Sequence, residues 1–423
     1  MKRKQLIAVL VLLVGVWSMG AQALANEVRT ITVWHYTRGE SMDKLAAAFM
    51  EDNPGYEVVL DHMGDSQGQK FLLHLAAGTG PDVLWSYDPI SWALAGAIQP
   101  LTPWIERDGL KRSDFIEPAW DQAVWNGEIW ALPLYLDANF AMAYNVDMLE
   151  AAGVLPPKTI PELDEITPKL TRISNEGELL QAATVPWDVH GTANSMYTWG
   201  WAFGGTFFDP ETNRVTANHP QVVQALEWMA EPARRWGYGL FSQIFSNLPS
   251  GYDTFMARRV AMRPEHQGLV RSIEIYTPDL NYGLADLPYH PDYVSGPQHW
   301  IGGAVLVMSS GATDPDAAWE FIRYATADPV GTTKYREIAG VFTGYRASLV
   351  TPDLTDDHIL ARFSEILQNA RHARPAIPNR GTLDNEFNNG VMRVIRGEAP
   401  ARPVLDEITS TVQRELEELM TKN

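Results

Sequence analysis

The chain has 423 residues, a formal net charge of −19, no cysteine, and 15 tryptophans beside 15 tyrosines. Without cysteine there can be no disulfide, thiolate metal site, thiol nucleophile or lipid-modified cysteine. The acidic balance sets the chain against nucleic acid and anionic membrane surfaces as partners, and the length is enough for two domains of ordinary size.

The N-terminus bears on the compartment. Lys2, Arg3 and Lys4 form a positive stretch, Leu6 to Val16 an almost unbroken apolar run, and Ala23-Leu24-Ala25 the small-x-small pattern that signal peptidase needs. A bilayer needs about 20 apolar residues, and this run is shorter. Residues 1–25 are therefore expected to be a signal peptide cleaved after Ala25, leaving a periplasmic protein that begins at Asn26. Its net charge is near −22, because the leader carries three positive charges.

The next segments alternate. Thr30 to Trp34 reads as a short buried strand, and Met42, Leu45, Ala46, Phe49 and Met50 fall at helical spacing until Asn53-Pro54-Gly55 stops them. Tyr56 to Leu60 is a second strand, Phe71, Leu72, Leu75 and Ala76 line a second helix, and Val83 to Trp85 opens a third strand. Strands alternating with helices predict an open, mostly parallel sheet covered on both faces. Further on, Asp314-Pro315 has the pattern of an N-cap followed by proline at the first helical position. The helix behind it should bury Ala318, Phe321, Ile322 and Ala325, and Val404 to Met420 reads as an amphipathic helix. There is no internal repeat and no Gly/Ser linker, which suits two lobes joined by short crossings.

Four stretches in order carry a family resemblance. They are Ile31-Thr32-Val33-Trp34-His35 with the later Asn53-Pro54-Gly55, and Leu75 to Val83 with its Gly-Pro-Asp turn. Gly127 to Pro133 followed by Tyr144-Asn145-Val146-Asp147-Met148-Leu149 is the third, and Gly302-Gly303-Ala304 leading into Asp314 to Phe321 the fourth. The chain resembles the extracellular solute-binding proteins of family 1, the maltose-binding-protein-like type. The resemblance implies a two-lobe, type II periplasmic binding protein fold of the α/β class, with open sheets and a hinged cleft between lobes. Residues 27–135 plus 308–340 would form the N-terminal lobe and 136–307 plus 341–423 the C-terminal lobe, with crossings near Tyr135 to Asp137 and Ile301 to Val307. It also implies a monomer that captures a carbohydrate and delivers it to the transmembrane subunits of an ABC permease, with no cofactor.

Sugars offer apolar C–H faces to flat aromatic rings and hydroxyls to carboxylates, amides and arginine. Candidates are therefore aromatic residues beside short polar ones just after strands. Tyr36 and Arg38 follow the first strand, and Trp85, Tyr87 and Asp88 follow the third. Asp137, with Asn139 beside it, sits at the first crossing, where the family commonly supplies a carboxylate or amide. Trp201 lies in an aromatic-glycine stretch that serves equally well as the core of a helix. Trp300 precedes Gly302 and Gly303 at the second crossing and is the expected stacking platform, with glycines clearing space for a ring. The segment Phe255 to Met262 resembles the family's pattern, but the tryptophan that relatives place after it is replaced by Arg263-Pro264-Glu265-His266-Gln267. That departure makes Glu265, His266 or Gln267 polar substitutes. Arg346 resembles an arginine returning to the cleft.

Two rival readings remain. A receptor for glycerol 3-phosphate or a glycerophosphodiester could use Arg38, Arg258 and Arg346 on the phosphate. A secreted carbohydrate-active enzyme would need a pair of carboxylates, and no strand end offers one in a recognisable arrangement. The sequence also lacks a His-Glu-x-x-His motif, a Gly-x-Ser-x-Gly elbow and a phosphate loop.

Overall fold

The computed structural model describes residues 28–36, 39–64, 67–349 and 358–421. The expected signal peptide and Arg38 lie outside the described residues.

The opening alternation is realised as β1 (Arg29–His35), α1 (Ser41–Asp52), β2 (Tyr56–His62), α2 (Gln67–Ala76) and β3 (Val83–Ser86). Helix α1 buries Met42, Leu45, Ala46 and Phe49, a stripe at 3.6-residue spacing. Its length lets the chain return to the start of the sheet, so β2 lies parallel to β1. Helix α2 is narrower on its apolar side than expected. Phe71 is fully buried, but Leu72 and Leu73 face outward, because they sit about 100° and 200° round the helix from Phe71.

The strands that matter for the site come next: β4 (Ile98–Gln99), β5 (Leu132–Asn139), β6 (Ala141–Asn145), β7 (Met262–Glu265), β8 (Tyr282–Ala285), β9 (Trp300–Ser309) and β10 (His372–Ala373). The larger sheet runs β10–β9–β3–β1–β2, and β4 and β5 also pair with β9. It is mixed: β1 pairs in parallel with β2 and β3, whereas β9 runs antiparallel to β3 and β5. The second sheet, β7–β6–β8, is antiparallel. This suits the abrupt entry of β6, separated from β5 by Phe140 alone.

Helices cover these sheets. They include α3 (Ile160–Leu170), α4 (Thr192–Ala202), α5 (Pro220–Trp236), α6 (Pro315–Ala327), α7 (Pro329–Ala339), α8 (Arg380–Ile395) and α9 (Ala401–Thr421). Helix α6 starts as its sequence predicts. The Asp314 carboxylate accepts from the Ala317 amide at 3.1 Å, Pro315 takes the first turn, and Ala318, Phe321, Ile322 and Ala325 are all buried. Helix α9 buries Val404, Leu405, Ile408, Val412 and Leu416.

Burial separates two main cores. One gathers Ile31, Val33, Phe49, Trp319 and Phe321; the other gathers Phe140, Trp199, Leu226, Phe387 and Val412. The β5–β9 ribbon runs from one to the other, with Leu134 and Leu306 in the first core and Trp300 in the second. A smaller apolar cluster sits at the crossing, where Leu136, Ala138 and Ile301 meet Phe342 and Phe363. The Leu136 amide donates to the Phe342 carbonyl at 2.7 Å, so a third segment passes the same point.

The glycines of β9 serve this ribbon. Gly303 has φ +117°, and a side chain there would strike the Tyr135 carbonyl and the Leu136 backbone; one at Gly302 would strike the Asn139 amide. They permit β5 and β9 to approach. The expectation that they clear room for a ligand is corrected: the space is filled by the neighbouring strand.

Candidate functional site

Past the carboxyl ends of β1 and β3 lies a cavity of about 460 Å³ walled by Tyr36, Trp85, Tyr87, Tyr135 and Tyr335. This is where open α/β sheets place ligands. Tyr36 follows β1, Trp85 and Tyr87 come from β3 and the residue after it, Tyr135 from β5 and Tyr335 from α7. The rings form a continuous wall around Trp85. Tyr36 lies 5.5 Å away at a tilt of 35°, Tyr87 meets it edge-on at 4.3 Å, and Tyr135 is 6.5 Å away. The hydroxyls of Tyr87 and Tyr135 are 3.0 Å apart. Burial, with help from Asp137, pushes the Tyr135 hydroxyl far above its ordinary range, so at neutral pH it keeps its proton and can donate it in a hydrogen bond.

Charged groups stand next to this wall. Asp88 reaches Arg380 of α8 at 3.8 Å, and Arg380 also reaches Asp384 at 3.8 Å. Burial raises the Asp88 carboxyl above the usual carboxylate range, with Arg380 pulling the other way. Ile90, two residues on, is buried in the second core. The two halves of the molecule are therefore in contact along this edge.

At the crossing, Gln267 grips β5. Its amide nitrogen donates to the Asp137 carboxylate at 2.7 Å and to the Leu136 carbonyl at 3.2 Å, while its oxygen accepts from the Ala138 amide at 3.0 Å. Asp137 is thus held in one orientation with acceptor capacity remaining on its second oxygen. Arg374 donates to Asn194 at 2.6 Å, and its guanidinium lies 5.2 Å from the centre of the Trp300 ring. Burial and the neighbouring Arg380 lower its pKa.

Several expected site residues lie elsewhere. Trp300 is 0% exposed. Its indole N–H donates to Thr198 at 3.0 Å, and it packs among Phe140, Tyr197 and Trp201, so no face is open for stacking. The signal that suggested a platform, an aromatic beside glycines, arises from strand packing. Glu265 is 1% exposed and sealed in an ionic cluster: it pairs with Arg263 and with His190 at 2.9 Å, while Arg263 also reaches Asp188 at 3.1 Å and Asp253 at 3.3 Å. Burial alone would raise the Glu265 carboxyl, but Arg263 and His190 hold it down at about 2. Asn139 is buried at the crossing. Arg346 spends its Nε on the Phe115 carbonyl at 2.7 Å, and Arg258 pairs with Asp279 at 2.8 Å.

Trp201 is intermediate between the two outcomes. It is mostly buried and stacks on His372 at 4.9 Å with the rings nearly parallel. It also lines a groove of about 250 Å³ with Gln122, Arg371, His372 and Arg374.

Sequence reasoning passed over Tyr135, Tyr335, Arg374 and Arg380. Tyr135 was readable, because alternation along β5 places it on the same face as Asp137. Tyr335 had no local signal, since its helix reaches the cavity only through tertiary packing. Among the described residues no group of three or more histidines, aspartates or glutamates is arranged to hold a metal ion.

Residues 44–361 match the model of the bacterial extracellular solute-binding protein family. Among relatives, a maltotriose-binding protein of Pyrococcus abyssi is 24% identical over 91% of this chain and 81% of its own length. An sn-glycerol-3-phosphate-binding periplasmic protein of Shigella dysenteriae is 25% identical over 68% of this chain and 67% of its own. Among solved structures, the sugar-binding protein MalE of Xanthomonas citri superposes with a TM-score of 0.78 at 21% identity, covering 92% of this chain and 98% of that one. A mannotriose-bound protein gives 0.74 at 21% identity, covering 91% of this chain and all of its own. With a family match across three-quarters of its length and the same two-lobe fold as these neighbours, the chain belongs to the bacterial extracellular solute-binding proteins.

Proposed function

We propose that this protein is the substrate-binding component of an ABC importer, that it takes up a sugar or short oligosaccharide between its lobes, and that it hands this ligand to the membrane permease. The observation that carries the reading is the tyrosine- and tryptophan-walled cavity of about 460 Å³ at the carboxyl ends of β1 and β3. Its flat rings suit the C–H faces of a pyranose, and the nearby Asp137 and Asp88 suit its hydroxyls. The relatives named for maltotriose and the neighbour with mannotriose bound support a saccharide of this kind. The protein acts in the periplasm as a monomer and performs no chemistry on its ligand. Residues near 27–135 and 308–340 move as one lobe and the remainder as the other, with the β5–β9 ribbon and the Leu136–Phe342 contact as the hinge. The Asp88–Arg380 contact at 3.8 Å already joins the two sides, and closure excludes water from the polar contacts.

A second reading, glycerol 3-phosphate, is favoured by a named relative and by two arginines near the cleft. Both arginines are matched by acids: Arg380 reaches Asp88 and Asp384, and Arg374 lies in the field of Asp384 and Asp137. A phosphate dianion would have to displace those carboxylates, so the neutral sugar ranks first. A thermal-shift screen over maltose, maltotriose, mannobiose and glycerol 3-phosphate tests it. A ligand at 100 times its Kd stabilises by about 2.7 kcal/mol. A shift with glycerol 3-phosphate and none with any saccharide would overturn the sugar reading.

A further inference from the structure

The second lobe carries another cavity, which shares no lining residue with the cavities of the cleft. Helices α3 and α5 leave between them a space of about 260 Å³, the room of about nine waters at ~30 Å³ each. Its floor is apolar: Leu163, Pro186 and Phe241 are buried. Its sides are two half-buried indoles, Trp228 and Trp236.

The polar groups are placed with equal care. The Trp228 indole N–H donates to the Asp164 carboxylate at 2.8 Å, which fixes the acid and one aromatic wall against each other. Thr184, also in the lining, has its hydroxyl buried without a hydrogen-bond partner among the described residues. That oxygen has almost no surface open to the cavity, so the polar contact offered to an occupant is the Asp164 carboxylate.

The charges argue for a neutral occupant. Glu231 is tied to Arg234 at 3.1 Å, and the Arg235 guanidinium lies 4.8 Å from the centre of the Trp236 ring. A cation entering here would meet Arg235, and an anion would meet Asp164. Burial already disfavours the charged form of Asp164, so a ligand that offers hydroxyls costs least.

We propose that this cavity is a second saccharide site, separate from the interlobe cleft, which takes one neutral pyranose-sized ring or the terminal ring of a chain. The assignment rests on the chemistry of its own walls and does not depend on what the cleft binds.

The test follows the indole N–H groups in proton–nitrogen correlation spectra of the whole protein, with Trp228→Phe and Trp236→Phe assigning the two resonances. Glucose, mannose and maltose are titrated into the millimolar range, with tetramethylammonium chloride as the cationic comparison. At least one sugar should shift both resonances along a saturating curve. The curve should persist in Tyr87→Ala, where the cleft wall is damaged, and weaken about tenfold in Asp164→Asn. The proposal fails if no sugar gives a saturable shift, if the shifts vanish in Tyr87→Ala, or if only tetramethylammonium moves the resonances.

Discussion

Two assemblies of five aromatic rings in this molecule have opposite fates. In the first lobe, Tyr36, Trp85, Tyr87, Tyr135 and Tyr335 wall an open cavity, with Tyr87 47% exposed. In the second, Phe140, Tyr197, Trp201, Phe207 and Trp300 stack into one another, and Trp300 and Tyr197 have no exposed surface. Both contain rings at contact distance and both lie near glycines. They differ in what stands beyond the ring. The first group meets open space at Tyr87, beyond the end of β3, although Trp85 and Tyr335 behind it are themselves buried. The second is roofed by helices α4 and α8, with Tyr197 donating to Asp384 of α8 at 2.8 Å. Residue type therefore cannot tell a platform from a core residue; the next layer of structure decides.

The sharpest way to break this comparison is Trp300→Ala. If Trp300 is core, the change removes a fully buried indole and should cost about 3–5 kcal/mol of folding stability. It should lower affinity only as far as the lobe loosens. Urea denaturation beside calorimetric titration separates the two. A stability loss under about 1 kcal/mol together with abolished sugar binding would restore Trp300 to the site and undo the distinction.

Acidification probes buried titrating groups on both sides, since burial lowers the pKa of His35 at the end of β1 as well as those of His266 and His372. His372, stacked on Trp201, has its pKa lowered to about 4, chiefly by burial. The folded state therefore favours its neutral form. That stabilisation is fully present above the unfolded value of 6.5 and is lost as pH falls from there toward about 4. Glu265, held at about 2 against an unfolded 4.5, adds a later loss as pH falls from 4.5 toward 2. Urea midpoints at about pH 7, about pH 5 and about pH 3 should fall at each step. His372→Gln should reduce the first fall, the remainder belonging to His35, His219 and His266, whose pKa values burial also lowers. A wild-type midpoint that holds steady from neutrality to about pH 5 would contradict the burial of His372.

These outcomes also show what was readable in the chain. The βαβ opening, the Asp314 cap and helices α1, α6 and α9 were legible, because periodicity and capping are local properties. The polar Gly-Pro-Asp turn was legible as a motif but not in its purpose. Asp82 is buried and accepts from Thr32 and Thr313, each through both its backbone amide and its hydroxyl, at 2.7–2.9 Å, a staple across 231 residues of sequence. Tyr36, Trp85 and Tyr87 were legible as residues at strand ends. Trp300 and Glu265 were misread, because burial depends on α4 and on the Arg263 cluster, which no local pattern announces. Of the three polar substitutes Glu265, His266 and Gln267, it is Gln267 that reaches Asp137: the strand ends at Glu265, inside the ionic cluster, and the chain turns into the next helix at Gln267.

A smaller effect is expected from Tyr87→Ala. The ring is half in solvent, so its loss should change stability by no more than about 1 kcal/mol. As part of the binding wall it should cost about 1–3 kcal/mol of sugar affinity. Calorimetric titration with whichever saccharide gives the thermal shift reads this directly. Unchanged affinity would mean that the cavity is not where the sugar stacks.

The smallest effect separates ring from hydroxyl at the same position. Tyr87→Phe keeps the aromatic face and its edge contact with Trp85 at 4.3 Å, but removes the hydroxyl that lies 3.0 Å from Tyr135. The lost bond is partly exposed, and water can replace it on Tyr135, so stability should change by less than about 0.5 kcal/mol. If Tyr87 contributes through its ring, affinity should fall by less than about tenfold, well short of the alanine variant. If the phenylalanine variant instead loses as much affinity as alanine does, the hydroxyl carries the contact. The first-lobe wall would then be a hydrogen-bonding surface rather than a stacking one. That result would redraw the comparison with the sealed second-lobe cluster, whose tyrosine hydroxyl is already committed to Asp384. The two assemblies would differ in which hydroxyls remain free for a ligand as well as in which faces remain open.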